Sequence, residues 1–304
     1  MPISFDDLVS RISRVVLGKE EQIRLALTCF FAGGHLLIED IPGIGKTTLA
    51  KVLSRCLGLQ FRRIQCTSDM LPGDILGVSI FEKKTGSFVF HPGPIFTQVL
   101  LVDEINRATP KTQSALLEAM EENQVTTEGN TRLLDNPFFV IATQNPLEQS
   151  GTFPLPESQL DRFLMRIELG YPDRAAEKKL LQQADVIDAL AHMEPCLTAA
   201  DAVAIQKQTQ KVHVSDALLE YTQNIIDFTR NSPHFAVGLS PRAGIALLKA
   251  ARAWAFLEGR QYALPEDIQK VMLWVAGHRL RTREDFGELP RQQLNALLRK
   301  VPVV

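Results

Sequence analysis

Cysteines in a pairing pattern are missing from this sequence. The four present, Cys29, Cys56, Cys66 and Cys196, form no C-x-x-C pair, and three sit in apolar runs. Buried free thiols in a reducing compartment are therefore expected, not a disulfide framework. Metal-ligand spacing is missing too, because the six histidines are scattered; that argues against a structural zinc site. No apolar run reaches the ~18 residues that a membrane span needs. The opening Met1-Pro2-Ile3-Ser4-Phe5-Asp6-Asp7 has neither a basic start nor an apolar core. No signal peptide is expected, and a cytoplasmic location is. Charge of one sign is not in excess: the net charge is -2 and the pI about 6.3. A dedicated nucleic-acid binder usually shows a basic surplus, so this balance argues against one.

What is present is ordinary in amount and distinctive in order. The chain has 304 residues, 45% hydrophobic and 22% charged, enough for one large domain or two modest ones with a sizeable core. Its first half alternates short apolar runs with helical patterns, the mark of a parallel sheet with crossover helices. Candidate strands are His35–Glu39, Phe61–Cys66, Val99–Asp103, Phe138–Thr143 and Met165–Leu169. Their enrichment in Val, Ile, Leu and Phe without alternation suits strands buried on both faces. Thr109 caps a helix that has Pro110 at its first position, with Ala115, Leu116, Ala119 and Met120 at helical spacing.

Two stretches break this pattern and read as β-hairpins. One is 79–90, turning at Lys84–Gly86; the other is 124–134, turning at Gly129-Asn130. After Tyr171-Pro172-Asp173 strand signals vanish. Helices are predicted at about 174–192, 198–211, 214–230, 241–259, 265–279 and 288–299, with starts at Asp173, Thr198, Ser215, Ser240 and Leu264-Pro265. The expected organisation is an αβα core over 1–170 and a helical domain over 171–304.

The strand at 35–39 runs into Asp40-Ile41-Pro42-Gly43-Ile44-Gly45-Lys46-Thr47-Thr48, and a helix over 47–57 follows. This is the setting that a phosphate-binding loop needs. Gly43 and Gly45 let the backbone turn its N–H groups toward oxygen, and the helix N-terminus adds partial positive charge. Lys46 reaches the outer phosphates of ATP and the Thr47 hydroxyl ligates Mg²⁺. Asp40 stands where the general G-x-x-x-x-G-K-[ST] pattern has its first glycine. A carboxylate beside phosphate is electrostatically odd unless it points away.

The apolar strand Val99-Leu100-Leu101-Val102 ends in Asp103 and Glu104. Paired acids at the edge where α/β sheets bind ligands predict that Asp103 holds Mg²⁺ through water and that Glu104 polarises the attacking water.

At this point the chain resembles AAA+ ATPases, and within them the MoxR family. The resemblance rests on Glu39–Thr48, Leu101-Val-Asp-Glu-Ile-Asn-Arg-Ala108, Ala142-Thr-Gln-Asn-Pro146, Pro154-Leu-Pro-Glu-Ser-Gln-Leu-Asp-Arg-Phe163 and Leu239-Ser-Pro-Arg-Ala243. It covers nearly the whole chain. It implies a P-loop NTPase αβα sandwich with a parallel five-stranded sheet, followed by an all-helical lid domain. It also implies sensor 1 at Asn145, an arginine finger at Arg162 supplied to a neighbouring subunit, and sensor 2 at Arg242. The hairpins resemble the helix-2 insert and pre-sensor-1 hairpin, which tend to face the channel of a ring. Homo-hexamers are typical of the family, and several members are described as chaperone-like or maturation factors working with von Willebrand A domain proteins.

Two other functions fit the same site. One is a DNA-acting motor, which the acidic pI opposes; the other is a nucleotide-gated binding module with little turnover, for which Asp40 speaks. Other features read as ordinary structure. Trp254, Phe256 and Leu257 suit a lid core, and Arg279, Arg281 and Arg283 suit a solvated helix end. Lys83 and Lys84 suit an exposed turn.

Overall fold

The computed structural model describes residues 4–84, 86–146, 151–182 and 193–303. Thr85 in the first hairpin turn and the second half of the helix expected over 174–192 lie outside these residues.

Five parallel strands form the central sheet: β1 (Leu36–Glu39), β2 (Phe61–Gln65), β5 (Val99–Asp103), β8 (Phe139–Gln144) and β9 (Met165–Ile167), in the order β2-β5-β8-β1-β9. All of β5 is buried, as are most of β8 and β1. Continuous apolar runs occupy the middle of the sheet because helices cover both faces. Strand β2 is different. It is an edge strand, and Arg62 and Arg63 are exposed along it. Its register with β5 pairs Gln65 with Asp103.

Helices α1 (Phe5–Ser13) and α2 (Glu20–Phe31) precede the first strand. Neither is among the elements expected from the sequence. Helix α3 (Lys46–Cys56) follows the glycine-rich loop. After the short α4 (Pro72–Leu76) comes a hairpin of β3 (Gly77–Glu82) and β4 (Ser87–Pro92), paired Val78 to His91 and Glu82 to Ser87. Helix α5 (Pro110–Glu122) starts at Thr109, whose hydroxyl accepts the Thr112 N–H at 3.4 Å. A second hairpin joins β6 (Gln124–Thr127) to β7 (Asn130–Leu133). Its turn is Glu128-Gly129, one residue earlier than expected. Both have positive φ, 52° and 76°, as a two-residue type I′ turn demands. Asn130 is already in β7, opposite Thr127. Among the described residues each hairpin pairs only with itself.

A short α6 (Glu157–Leu160) precedes β9, and α7 (Arg174–Gln182) follows it. Then come α8 (Ala199–Thr209), α9 (Asp216–Asn231), α10 (Pro241–Leu257), α11 (Pro265–Ala276) and α12 (Arg291–Leu298). Ser215 and Ser240 cap α9 and α10 by accepting the Leu218 and Ala243 N–H groups at 3.2 and 3.1 Å; such a cap contributes about 1 kcal/mol. To this helical lid the structure adds a small ribbon, β10 (Phe235–Val237) with β11 (Arg281–Thr282).

The expected solvated arginine cluster after α11 is instead bonded. Arg279 donates to the Phe163 carbonyl at 2.7 Å, Arg283 to the Phe235 carbonyl at 3.3 Å, and Arg281 pairs with Glu288 at 2.8 Å. Guanidinium forks satisfy carbonyls left over at helix and strand ends. The chain divides into two compact units. One comprises Met1–Ile23, Leu37–Arg162 and Glu168–Val203; the other comprises Arg24–Leu36, Phe163–Ile167 and Ala204–Val304.

Candidate nucleotide site

The glycine-rich loop leaves the carboxyl end of β1. Gly43 and Gly45 have φ of 84° and 93°, and a Cβ at either would meet nothing within 4 Å. The glycines serve backbone conformation and leave the face of the loop open. Leu49 makes the first bond back to Gly45 at 2.9 Å, so the amides ahead of it face out of the helix end, where an anion fits. Lys46 folds over the loop and donates to the Asp40 carbonyl and, at 3.0 Å, to the Ile41 carbonyl.

Asp40 resolves the oddity in its motif. One carboxylate oxygen accepts the Ile41 N–H at 2.8 Å and the other accepts the Gly170 N–H at 2.6 Å. Its N–H donates to the Gln144 carbonyl at 3.1 Å. The carboxylate therefore clamps backbone amides. Buried Lys19, held by the Tyr171 carbonyl at 2.7 Å, is the nearby counter-charge. Burial lowers the Lys19 pKa, and the fields of Asp40 and Asp173 oppose that shift.

Strand β8 lies between β1 and β5, and its end carries the residue that organises the acids. Thr143 is buried. Its hydroxyl donates to Asp103 at 3.2 Å and accepts the Glu104 N–H at 2.9 Å. Glu104 has φ of 55°, left-handed backbone that a β-substituted side chain adopts at a cost of about 1–3 kcal/mol. Its carbonyl accepts the Arg107 N–H at 2.8 Å, and its carboxylate pairs with the Arg107 side chain at 3.0 Å. The other Asp103 oxygen accepts from Arg63 at 2.6 Å. In the sequence Arg63 carries no site signal, Thr143 and Arg107 enter only inside the motifs of the resemblance, and Cys66 enters only as an expected buried thiol. The last is fully buried, and its pKa is pushed up to about 12, first by burial and then by Asp103 and Glu104.

Thr47, Asp103 and Glu104 supply hard oxygen donors, which suit Mg²⁺. With both Asp103 oxygens engaged, a contact through water suits this site better than direct ligation. Asn145, just past β8, is buried. Arg162 pairs with Glu121 of α5 at 3.1 Å. Arg242 is the exposed second residue of α10. The structure brings Asp103, Glu104 and Thr143 into direct contact, and ties Lys46 and Asp40 to the loop between β1 and α3. Arg242 belongs to the other compact unit.

The family described as "ATPase family associated with various cellular activities (AAA)" matches residues 35–165, and the AAA lid domain matches 227–299. The chain is 36% identical to "Chaperone MoxR1" of Mycobacterium tuberculosis, covering 90% of this chain and 74% of that protein. It is 32% identical to "Protein MoxR" of Paracoccus denitrificans, over 91% and 88% of the two chains.

This chain belongs to the MoxR family of AAA+ ATPases.

Likeness within the family extends to the whole fold. The crystal structure of a candidate ATPase from Cytophaga hutchinsonii superposes with a TM-score of 0.90 at 37% identity, covering 98% of this chain and 94% of that one. "Uncharacterized protein YeaC" of Bacillus subtilis (strain 168) is 44% identical over 96% of this chain and 91% of its own length. Among the described residues, no helix of this MoxR-family chain is long and apolar enough to cross a membrane.

Proposed function

We propose that this chain hydrolyses ATP to ADP and phosphate in a homo-hexamer, and that it uses the energy to remodel or activate a separate partner protein in the cytoplasm. The reading assigns residues 1–170 to the ATPase core and 171–304 to the lid, the order in which the AAA and lid families match. The observation that carries it is Glu104. Its side chain stands on strained backbone at the end of β5, with its N–H held by Thr143, and only β8 separates that strand from β1 and the phosphate loop. Strain of this kind persists where a site positions a reacting group.

In this reading the Asp40–Thr48 loop cradles the triphosphate and Lys46 turns from its loop carbonyls to the outer phosphates. Mg²⁺ would be held by Thr47 and Asp103, and it supplies neutralisation of phosphate charge. Glu104 takes the proton of the attacking water, and Asn145 orients that water. Arg162 leaves Glu121 to reach a neighbouring subunit's nucleotide, where an arginine supplied in trans contributes on the order of 10³–10⁵ in rate. Arg242 reports lid position.

A protein partner is favoured over DNA by the first hairpin. Val78, Ile80, Phe81 and Phe88 are exposed there, Phe88 by 72%, with the two phenyl rings packed edge to face at 5.4 Å. Apolar exposure of that kind suits contact with polypeptide. The printed name of the Mycobacterium relative, a chaperone, agrees, and a von Willebrand A domain protein fits the family pattern.

The test is phosphate release from Mg-ATP by wild type and Glu104→Gln, with and without DNA at two salt concentrations. Turnover abolished by the substitution and indifferent to DNA supports the reading. Strong salt-sensitive stimulation by DNA would transfer the assignment to a DNA motor. Turnover that survives Glu104→Gln would remove Glu104 from catalysis.

A further inference from the structure

Two of the four cysteines, 140 positions apart in sequence, meet in the structure. Cys56, the last residue of α3, and Cys196 have their sulfurs 3.1 Å apart, about 1 Å more than a disulfide bond length of roughly 2.05 Å. The main chains are fixed as well. The Cys196 N–H donates to the Cys56 carbonyl at 2.7 Å, and the Leu197 N–H reaches the same oxygen at 3.4 Å. One such bond between the two residues' own backbones keeps their Cα atoms within the span that a disulfide bridges. Arg55 adds a bond to the Met193 carbonyl at 2.9 Å. Gly58 completes the fit: its φ is 66°, and a Cβ there would lie 2.1 Å from the Leu197 carbonyl oxygen. Segment 193–197 is therefore seated on the end of the helix by several independent contacts.

Exposure divides the labour between the thiols. Cys196 is partly exposed and Cys56 fully buried. The remaining thiols have other surroundings. Cys29 is fully buried and donates to the His35 carbonyl at 3.3 Å, and Cys66 is fully buried beside the acids.

We propose that Cys56 and Cys196 are an oxidation site, closed to an intramolecular disulfide by hydrogen peroxide, that fastens segment 193–197 to the end of the phosphate-loop helix. In the first step the Cys196 sulfur takes one peroxide oxygen, becoming a sulfenic acid, and one water leaves. In the second the Cys56 sulfur attacks that sulfur. The S–S bond forms, the S–O bond breaks, and hydroxide leaves with the Cys56 proton as a second water. Two electrons pass from the thiols to the peroxide. Burial, and then the neighbouring Cys196 sulfur, push the Cys56 pKa up. The second step therefore accelerates as pH rises.

The full-length protein, reduced and then freed of reductant, is treated with hydrogen peroxide and denatured, and its thiols are counted. Four thiols before treatment should become two. Trypsin without reductant should yield a linked pair of peptides, Cys56–Arg62 with Leu180–Lys207. The oxidised protein should melt higher by on the order of 5 °C, because the cross-link closes a long loop, and dithiothreitol should reverse the gain. Cys196→Ser, at a partly exposed position that folding tolerates, should form no intramolecular link. Four thiols surviving peroxide, a link through Cys29 or Cys66, a link only between chains, or two thiols lost in Cys196→Ser would each overturn the proposal.

Discussion

Removing one hydroxyl from Thr143 should damage both the stability and the turnover of this protein. Thr143→Val keeps the shape of the side chain and deletes its two polar bonds. The bond to Asp103 involves a charged acceptor, and such a bond contributes about 1.5–3 kcal/mol. The Glu104 N–H, 2.9 Å away and part-buried, loses its acceptor, and a donor orphaned there costs up to about 1–3 kcal/mol. Arg63 still holds the other Asp103 oxygen, which limits the first loss. A destabilisation of about 2–4 kcal/mol follows, seen as a drop in Tm of roughly 5–10 °C. With its anchor gone, Glu104 relaxes from left-handed backbone, and a misplaced general base lowers kcat by on the order of 10²-fold. KM for ATP should stay within about threefold, because the loop contacts are intact. Thr143→Ser keeps the hydroxyl and should restore most of kcat while losing only a methyl group. Thermal melts and steady-state phosphate release on the three proteins decide the matter. A valine variant with unchanged Tm and kcat, or a serine variant as impaired as the valine, would refute the claim that the hydroxyl sets this geometry.

Lys46→Ala should abolish Mg-ATP binding at millimolar concentration in calorimetry while leaving the fold intact by circular dichroism. Arg162→Ala should bind ATP and lose turnover; mixing it with Lys46→Ala subunits should restore part of it, since a mixed interface pairs an intact loop with an intact finger. No rescue, together with activity in a proven monomer, would exclude the trans role. His278 supplies a pH test. It is buried, and that burial, helped by Arg279, Arg166 and Arg281, holds its pKa well below the ordinary value. Below about pH 6.5 the unfolded chain takes up a proton that the folded chain refuses, so stability falls as pH falls, by at most about 1.4 kcal/mol per unit. In denaturant melts from pH 7.5 to 5, His278→Gln should flatten this slope; an unchanged slope would assign it to other groups.

Most of the sheet was legible because its strands are nearly pure apolar runs with sharp ends. β5 and β8 are buried on both faces, so no alternation blurred them. Edge strand β2 was found although Arg62 and Arg63 interrupt it, because Phe61 and Ile64 remained. The hairpin at 124–134 was legible but its turn was misplaced by one residue. Gly129 signalled positive φ; that Glu128 shares it depends on pairing register, which only the folded hairpin sets. Helix α1 was unread although Leu8, Val9 and Ile12 are buried at helical spacing. The arginines after α11 looked solvated because their carbonyl partners lie far away in sequence.

Local chemistry decided the phosphate loop. Gly43, Gly45, Lys46 and Thr47 lie within five residues of each other, and backbone freedom, charge and helix start act over that range whatever surrounds them. The same holds for an apolar strand ending in two acids. Tertiary structure alone decided where Asp40 points, since the amide that turns it aside belongs to Gly170. It also decided that Thr143 holds Asp103 and Glu104 together, and that Cys56 meets Cys196. Each of these is a contact of a few ångströms between residues dozens of positions apart, and a linear pattern carries no distance between such residues until the sheet has folded.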